Sequence, residues 1–293
     1  MSELATDLLH VVSQLASAQP LPLVRQFELP PQSPMPAVKD SGRTNNFAAL
    51  VLEDGSVGMT YVALDQALQG LRRSPQLNSI KGMDPLEIAS LYQRDAGWQR
   101  ALGLAAINAI SQYALRNNQT LSHSLNYTLK PMPDTLSVLL PGTAIENPGK
   151  PSTEDHIGMV GYFSRLVKPL TTMGARVTVV ELQEQLVHNE PNLEVTLDTS
   201  KLANCSRVII TGTTLLNHTI DNILGYCTNA DQILMVGPTA SCIPQPLFDR
   251  GITLMGGYQV TETDRFIDNW RSGKKWRQCG FRYSVSKAEQ AGS

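Results

Sequence analysis

Apolar and polar residues are arranged over residues 155–181 in a pattern that predicts a strand, a tight turn, a helix and a second strand. The run Ile157–Val160 carries no charge, as in a strand that is covered on both faces, and Gly161 ends it. Residues 164–173 have the spacing of an amphipathic helix, and 177–180 is a mostly β-branched run. The pattern is that of a βαβ unit, whose ligands bind beyond the carboxyl ends of the parallel strands.

The same kind of pattern continues toward the C-terminus. Strands are predicted at 207–211, 232–236 and 252–255, with Gly256-Gly257 closing the last, whereas 182–200 shows no clear pattern. Helices are predicted from Ile220 onward, at 246–250 and at 261–270. Strands that alternate with helices predict an α/β fold with a Rossmann-like, doubly wound parallel sheet and right-handed crossovers.

The N-terminal half combines helices with a hairpin, as in a smaller α+β domain. Helices are predicted at 3–17, from Asp84-Pro85 onward and at 97–115. The apolar runs 47–52 and 57–62 are joined through Asp54-Gly55, which is a strong hairpin signal because glycine adopts the positive φ of such turns.

The middle of the helix over 97–115 is almost wholly small or apolar between Gly103 and Ile110, which predicts burial and close packing against another element. Asn108 is the polar exception in this stretch. It is either a satisfied amide of the core or a side chain that is presented to a cleft.

A polar, proline-rich stretch over 117–155 separates the two patterns and is interpreted as a connection between domains. The predicted division is a cap domain over 1–121, a connection over 122–150, a Rossmann-like domain over 151–280 and a C-terminal tail over 281–293.

Composition and charge narrow the classes of partner. The 293 residues have a formal net charge of -2, which gives no electrostatic argument for nucleic acid or for an anionic membrane. No apolar run approaches the roughly 18 residues of a membrane-spanning helix, and the first residues lack the pattern of a signal peptide. The four cysteines form no C-x-x-C pair, as expected for a reducing cytoplasm. We expect a cytoplasmic protein with a small-molecule ligand, without nucleic-acid or membrane partners, and leave a homo-oligomer open.

Glu181 follows Gly161 by about 20 residues, which is where a dinucleotide-binding unit places the acid that binds the ribose. The glycine loop is a lone Gly161, however, and Tyr162 and Phe163 fill positions that a pyrophosphate needs open. The alternatives are a nucleotide or adenosyl ligand near Glu181 and a plain capping or solvated carboxylate.

The stretch from Gly212 to Thr219 has the most functional character in the sequence. Three hydroxyls, an amide and an imidazole stand between a strand end and a helix start, where backbone N–H groups favour an anion. His218 has the chemistry of a general acid or base, or of a metal ligand. The other interpretation is that Asn217 or Thr219 simply caps the helix, and both can hold together.

A third hydroxyl-bearing loop contains Gly237, Pro238 and Thr239. Cys242 follows it without an adjacent base, so a buried inert thiol is the better interpretation. No histidine or cysteine pair has the spacing of a zinc site, and we predict no metal site formed by the protein alone.

Several motifs are similar to those of the family described as "putative heavy-metal chelation", whose members have unknown function. They are I-G-M-V-G-Y-F at 157–163, A-R-V-T-V-V-E at 175–181, I-I-T-G-T-T-L-L-N-H-T-I-D at 209–221, M-V-G-P-T-A-S at 235–241, N-N-F-A-A-L at 45–50 and G-L-A-A-I-N-A at 103–109. The resemblance implies an enolase-N-terminal-like α+β domain before a Rossmann-like domain, with a cleft between them. It implies no established reaction.

These observations favour an enzyme-like protein that binds or processes a small polar metabolite, of a kind that can chelate metal, in that cleft. The alternatives are a non-catalytic binder of a metal or metal–chelate complex and a nucleotide- or adenosyl-dependent enzyme; the missing glycines disfavour a nicotinamide-dependent oxidoreductase. The sequence identifies no cofactor. The candidate catalytic residue is His218, and the candidate ligand-binding residues are Asn45, Asn46, Gly161, Tyr162, Glu181, Gly212, Thr213, Thr214, Asn217, Gly237, Pro238 and Thr239.

Overall fold

The computed structural model describes residues 3–31, 46–117, 127–132 and 155–287. The chain divides into two compact units that interleave along the sequence. The first unit is Met1–Tyr127 with Gly237–Pro246 and Gly257–Phe281, and the second is Thr128–Val236 with Leu247–Gly256 and Arg282–Ser293. The continuous domains expected from the sequence stay a prediction.

The helices and strands of the described ranges follow the predicted order closely. The helices are α1 (Glu3–Ala18), α2 (Ala67–Arg73), α3 (Pro85–Ala89), α4 (Gly97–Arg116), α5 (Ser164–Thr172), α6 (Ile220–Tyr226), α7 (Gln245–Phe248) and α8 (Thr263–Arg271). The strands are β1 (Val24–Glu28), β2 (Phe47–Leu52), β3 (Val57–Tyr61), β4 (Tyr127–Pro131), β5 (His156–Val160), β6 (Arg176–Val180), β7 (His188–Glu190), β8 (Leu193–Thr196), β9 (Arg207–Thr211), β10 (Gln232–Val236), β11 (Leu254–Val260) and β12 (Gly280–Lys287).

The second unit contains the predicted parallel sheet. Within the described ranges, nine strands are ordered β4-β12-β11-β10-β9-β5-β6-β8-β7. The strands β8, β6, β5, β9, β10 and β11 are parallel neighbours. Numbered among themselves along the chain, they follow the 3-2-1-4-5-6 order of a Rossmann sheet, and the order reverses between β5 and β9. The predicted α/β fold class is therefore confirmed.

One face of this sheet is closed by α5, because the strands alternate apolar residues on that side. The core there joins Leu166, Val167 and Leu170 of α5 to residues from five strands. Those strand residues are Ile157, Met159, Val177, Val179, Leu193, Val195, Ile209, Leu234 and Val236. Fully burying each side chain of this size stabilises the fold by about 1.5–3 kcal/mol.

Two predictions about strands need correction. The stretch 182–200, for which no clear pattern was found, contains the strands β7 and β8. Strand β8 gives little pattern in the sequence because it is only four residues long. The strand predicted at 252–255 begins at Leu254 and continues through Gly256-Gly257 to Val260, because Gly256 pairs in parallel with Val236 of β10.

Strands also occupy both segments that were expected to lie outside the domains. The strand β4 falls within the predicted connection, and β12 extends into the predicted C-terminal tail. The two are neighbours at one edge of the sheet. The predicted connection also contains a short apolar run at 136–140, which lies outside the described residues.

The first unit holds a three-stranded sheet of order β1-β2-β3. The predicted hairpin is confirmed, since β2 and β3 pair antiparallel from Phe47↔Tyr61 to Val51↔Val57. Helix α4 lies directly on β3, because a Cβ added at Gly58 would stand 2.0 Å from the backbone oxygen of Ala105. Only glycine permits this approach, and the close packing expected for the middle of α4 is confirmed.

Residues from the C-terminal part of the chain complete the core of the first unit. Phe266 and Trp270 of α8, with Tyr258 and Trp276, pack in one cluster with Ala49, Val51, Val57 and Met59 of the hairpin. Trp270 Nε1 donates a hydrogen bond to the carbonyl of Leu29 at 2.9 Å. The guanidinium of Arg271 pairs with Glu28 at 2.5 Å. The hairpin is therefore covered by segments far from it in sequence.

Candidate functional site

The loops after β5 and β9 meet at the point where the strand order reverses. Gly161 follows β5 with φ of 90°, a left-handed conformation that L side chains rarely adopt. A Cβ at Gly161 would stand 3.1 Å from Cγ2 of Thr211, the last residue of β9. The reversal point of such a sheet is where ligands bind in doubly wound folds.

Glu181 ties the first of these loops to the end of β6. Its Oε1 accepts a hydrogen bond from the backbone N–H of Tyr162 at 2.6 Å, and its Oε2 accepts one from Leu182 at 3.2 Å. A ribose-binding acid needs its carboxylate directed at a ligand, whereas both oxygens here already accept backbone N–H groups. The geometry favours the capping interpretation, and a ligand role for Glu181 stays a prediction.

Aromatic rings line the same loop. The rings of Tyr162 and His188 lie 6.4 Å apart between centroids, and Phe163 packs against the core. Helix α5 begins directly afterwards, with no side-chain cap hydrogen bond and no acidic residue in its first turn. The positive end of the α5 dipole therefore lies beside this loop and favours a negatively charged group.

The loop after β9 is held by its own threonines. The hydroxyl of Thr213 donates to Oγ1 of Thr211 at 3.2 Å, and the hydroxyl of Thr214 donates to the Thr211 carbonyl at 2.9 Å. Thr214 is only 2% exposed, and Gly212 is buried as well. Thr213 is half-buried and is the better placed of the two threonines for a ligand contact.

Asn217 shapes the start of α6. Its Oδ1 accepts hydrogen bonds from the hydroxyl of Thr219 at 2.8 Å and from the backbone N–H of Thr219 at 3.4 Å. His218, between them, is exposed and has φ of 55°. A left-handed conformation at a non-glycine residue costs about 1–2 kcal/mol and is common at functional sites. The turn formed by Asn217 thus places His218 at an exposed position.

The third predicted loop belongs to the first unit, where a row of polar residues on α4 holds it. Asn108 Nδ2 donates to the carbonyl of Thr239 at 2.9 Å, and Gln112 Nε2 donates to the carbonyl of Ser241 at 2.9 Å. The backbone N–H of Ile243 donates to Oγ of Ser111 at 3.0 Å. We name this row, Asn108, Ser111 and Gln112, the α4 clamp.

The clamp defines the surroundings of Asn108 and Thr239, and a ligand role for Thr239 stays a prediction. Asn108 is 0% exposed, and its Nδ2 also donates to the carbonyl of Met59 at 2.8 Å. Thr239 is 2% exposed, so its side chain belongs to a buried layer. Asn108 Oδ1 and Thr239 Oγ1 have no hydrogen-bond partner within the described ranges, and such buried groups are usually satisfied by water or a ligand.

The remaining candidates of the first unit are placed as follows. Gly237 has φ of 126° and Pro238 is half-buried beside it. Asn46 is half-buried, and its carbonyl accepts a hydrogen bond from Val62 at 2.7 Å. Asn45 lies outside the described residues.

The structure brings together only part of the predicted set. In the second unit, Gly161, Tyr162 and Glu181 join the Gly212–Thr213 loop through contact with Thr211. Thr211 was not predicted as a site residue from the sequence. Ser111 and Gln112 of the α4 clamp were not predicted either, whereas Asn108 was singled out as the polar exception of its helix. Their signal is the spacing of Asn108, Ser111 and Gln112 at i, i+3 and i+4 in an otherwise apolar helix.

The four cysteines lie in buried surroundings, and all four are free thiols. Burial raises the pKa of Cys242 to about 12, as it does for Cys205. Burial likewise raises the pKa of Cys227 to about 11. A raised pKa keeps a thiol protonated near neutral pH and makes it a poor nucleophile, which agrees with the interpretation of Cys242 as inert.

Within the ranges that the structure describes, no three His, Cys, Asp or Glu side chains form a group that could hold a metal ion. The prediction that the protein forms no metal site by itself stays a prediction. In the same ranges, no helix has the length and apolar character needed to cross a membrane.

The fold is that of an α/β protein with a Rossmann-like sheet and a smaller α+β unit. A glycine turn and a hydroxyl-bearing loop lie where the strand order reverses. Residues 144–287 and 30–111 match two sequence families, each described as "Putative heavy-metal chelation". The two matches together span most of the chain, and the chain belongs to this family. The resemblance noted from the sequence motifs is confirmed.

Relatives with solved structures share the fold over nearly the whole chain. A protein of unknown function from Pyrococcus horikoshii covers 97% of this chain and 99% of its own, with TM-score 0.68 and 19% identity. One from Desulfitobacterium hafniense covers 96% and 99%, with TM-score 0.66 and 18% identity. An uncharacterized protein of Methanocaldococcus jannaschii is 27% identical over 179 residues, which span 58% of each chain. None of these relatives carries an assigned activity.

Proposed function

We propose that this protein binds a small, polar, oxygen-rich metabolite of the kind that chelates metal ions, at the loops where the sheet order reverses. The observation that carries the proposal is the contact between Gly161 and Thr211, which joins the loops after β5 and β9 at this point. Ligands of doubly wound folds bind at such a reversal.

The chemistry of the two loops supports a flat ligand with partial negative charge. The uncapped start of α5 attracts negative charge, and Thr213 offers a hydroxyl for a hydrogen bond. The Tyr162 ring supplies an aromatic face for stacking. His218, exposed on its strained turn, is the proposed acid or base.

The contacts of Glu181 argue against an ordinary dinucleotide site. Both carboxylate oxygens already accept backbone N–H groups, so the usual ribose contact would compete with those hydrogen bonds. The family description concerns heavy-metal chelation, and within the described ranges no three His, Cys, Asp or Glu side chains form a group that could hold a metal ion. We therefore propose that metal reaches this site together with a chelating ligand.

Calorimetry on the purified protein tests the proposal with three kinds of ligand. These are NAD, a free divalent transition metal, and catechol- or pterin-like compounds with and without metal. We expect binding of a chelator, with affinity lowered by Thr213→Val and by His218→Ala. Thr171→Val is the matched control, because its hydroxyl donates to the Val167 carbonyl inside α5 at 3.0 Å.

Micromolar binding of NAD alone, lost in Glu181→Ala, would show a dinucleotide site and refute the chelator proposal. If Thr213→Val, Thr171→Val and the unchanged protein bind the chelator with equal affinity, the loop after β9 is not part of the site. A turnover assay with any bound chelator separates an enzyme, which forms product, from a non-catalytic binder, which shows affinity alone.

A further inference from the structure

The second unit has a separate polar cavity on the sheet face opposite α5. Its volume is about 440 Å³, and it is lined by His156, Arg176, Thr178, Glu194, Lys201 and Asn204. The strand register explains the set, because His156 pairs with Arg176 and Thr178 pairs with Glu194. Their neighbours in sequence, such as Ile157 and Val177, point into the core beneath α5.

A 3₁₀ segment at Thr199–Asn204 covers this face and supplies Lys201 and Asn204. It lies close to the sheet at Gly158, where an added Cβ would stand 2.9 Å from Cδ2 of Leu202 and 3.0 Å from Sγ of Cys205. The cavity thus lies between the strands and this segment and is partly open to solvent. Its volume lies within the range of about 300–1,000 Å³ typical of metabolite sites.

The charges in the cavity are unbalanced. Lys201 Nζ lies 3.1 Å from Oε1 of Glu194. Within the described ranges, Glu194 is the one acidic residue that lines this cavity, and it is paired with Lys201. Arg176 has no acidic partner within 4.0 Å among the described residues. Two cationic side chains therefore face one anionic side chain, and the guanidinium of Arg176 keeps its hydrogen-bond donors for another group.

Neutral donors and acceptors complete the lining. His156 Nε2 lies 2.8 Å from Oγ1 of Thr178, whose residue is 1% exposed. His156 is half-buried and lies beside Arg176, its partner in the strand register. The amide of Asn204 borders the same space.

We propose that this cavity binds a small metabolite through a phosphate or carboxylate group, held by Arg176 and Lys201. The planar guanidinium of Arg176 can donate two parallel hydrogen bonds to such an oxyanion, and the ammonium of Lys201 adds a positive point charge. The imidazole of His156 and the amide of Asn204 supply further donors to the same group. The bound anion would balance the excess positive charge of the lining.

This site is distinct from the loops of the proposed function. His156 and Arg176 are the first residues of β5 and β6, whereas Gly161 and Glu181 follow the last residues of these strands. The cavity therefore opens near the amino ends of the strands, and either site can fail without the other.

Calorimetry on the full-length protein tests the proposal with inorganic phosphate in one arm and succinate in the other. We expect saturable binding in at least one arm, and the stronger arm identifies the group. Arg176→Gln should weaken binding by about tenfold or more, because it removes the bidentate donor. Lys168→Gln is the control, since it removes the same charge from an exposed position of α5, on the opposite face.

A second variant keeps the test decisive if Arg176→Gln does not fold. Lys201→Gln removes the other cation from a half-exposed position and should also weaken binding. The chemical shifts of the His156 ring should move on titration with the binding anion. The proposal would be overturned if neither phosphate nor succinate bound saturably. It would also be overturned if Arg176→Gln and Lys168→Gln lowered the affinity for the anion equally.

Discussion

Asn108 connects three segments of the first unit through one amide group. Its Nδ2 donates to the carbonyls of Met59 and Thr239, at 2.8 Å and 2.9 Å. The Asn108→Ala variant leaves both buried carbonyls without this donor, although it also removes the unpartnered Oδ1. We expect a loss of about 2–4 kcal/mol in the free energy of unfolding, measured by urea denaturation.

Asn117→Ala provides the matched control for this residue. Asn117 follows the same helix and donates to the carbonyl of Tyr113 at 3.1 Å, but in an exposed position. Its removal should change the free energy of unfolding by about 0.5 kcal/mol or less. Equal losses in the two variants would show that the amide of Asn108 contributes no more than a surface side chain.

His156 gives the stability of the protein a dependence on pH. Burial, and then the nearby positive charge of Arg176, lower the pKa of His156 from its usual value of 6.5. The Asn204 backbone and the Glu194 carboxylate act in the opposite direction, and Lys201 also borders the cavity. The unfolded chain therefore binds a proton at a higher pH than the folded chain does.

The sign follows from proton linkage. As pH falls from 6.5 through the lowered folded-state pKa, protonation favours the unfolded chain and the free energy of unfolding decreases. Between about pH 7 and pH 5, we expect the free energy of unfolding from urea melts to decrease less for His156→Gln than for the unchanged protein. His10→Gln, on an exposed position of α1, should follow the unchanged protein. An equal decrease in the free energy of unfolding for His156→Gln and for the unchanged protein would contradict the prediction.

Helix α4 and strand β3 are an example of packing that limits side-chain size. A Cβ at Gly58 would stand 2.0 Å from the oxygen of Ala105 and 2.2 Å from the nitrogen of Ala109, both backbone atoms that cannot rotate away. We expect Gly58→Ala to lower the free energy of unfolding by about 1–3 kcal/mol through overpacking.

Gly225 in α6 offers the opposite case. Nothing lies within 4 Å of a Cβ at this position, so alanine fits and improves helix propensity by up to about 1 kcal/mol. Denaturation curves of Gly58→Ala and Gly225→Ala should therefore shift in opposite directions. A shift of both in the same direction would show that backbone contact at Gly58 does not limit the packing of α4.

Sequence patterns predicted the elements whose residues repeat over enough length. The runs 207–211 and 232–236 match β9 and β10 at both ends, and the small residues of α4 indicated its packing. Strand β8 was missed because four residues give too little periodicity. The extension of β11 was missed because glycine usually ends a strand, whereas pairing with β10 continues through Gly256.

Site residues were harder to predict than strands because loop sequence does not show hydrogen-bond partners. Glu181 has the spacing of a ribose-binding acid, but its carboxylate is committed to Tyr162 and Leu182. The cavity at His156 was missed for a related reason. Its residues are scattered along the sequence, and only the register of β5, β6 and β8 makes them neighbours.

At the scale of the whole molecule, the interleaving of the two units connects distant parts of the chain. The first unit includes 237–246 and 257–281 in addition to the N-terminal 127 residues. Helix α8 is tied to the hairpin turn, because the hydroxyl of Thr263 donates to the carbonyl of Gly55 at 2.6 Å. We therefore expect the folding of this unit to require residues 237–246 and 257–281, which lie far from the hairpin in sequence.

A fragment of residues 1–127 tests this dependence. It lacks Phe266, Trp270 and Trp276, which cover the apolar hairpin residues Ala49, Val51, Val57 and Met59 in the full chain. Burial of large apolar side chains supplies most of the stability of a small domain, so we expect the fragment to lack cooperative unfolding. It should bind ANS strongly and lose near-ultraviolet circular dichroism while keeping helical signal, whereas the full chain should melt cooperatively under the same conditions. A sharp thermal transition with native near-ultraviolet dichroism in the fragment would instead support the continuous N-terminal domain expected from the sequence.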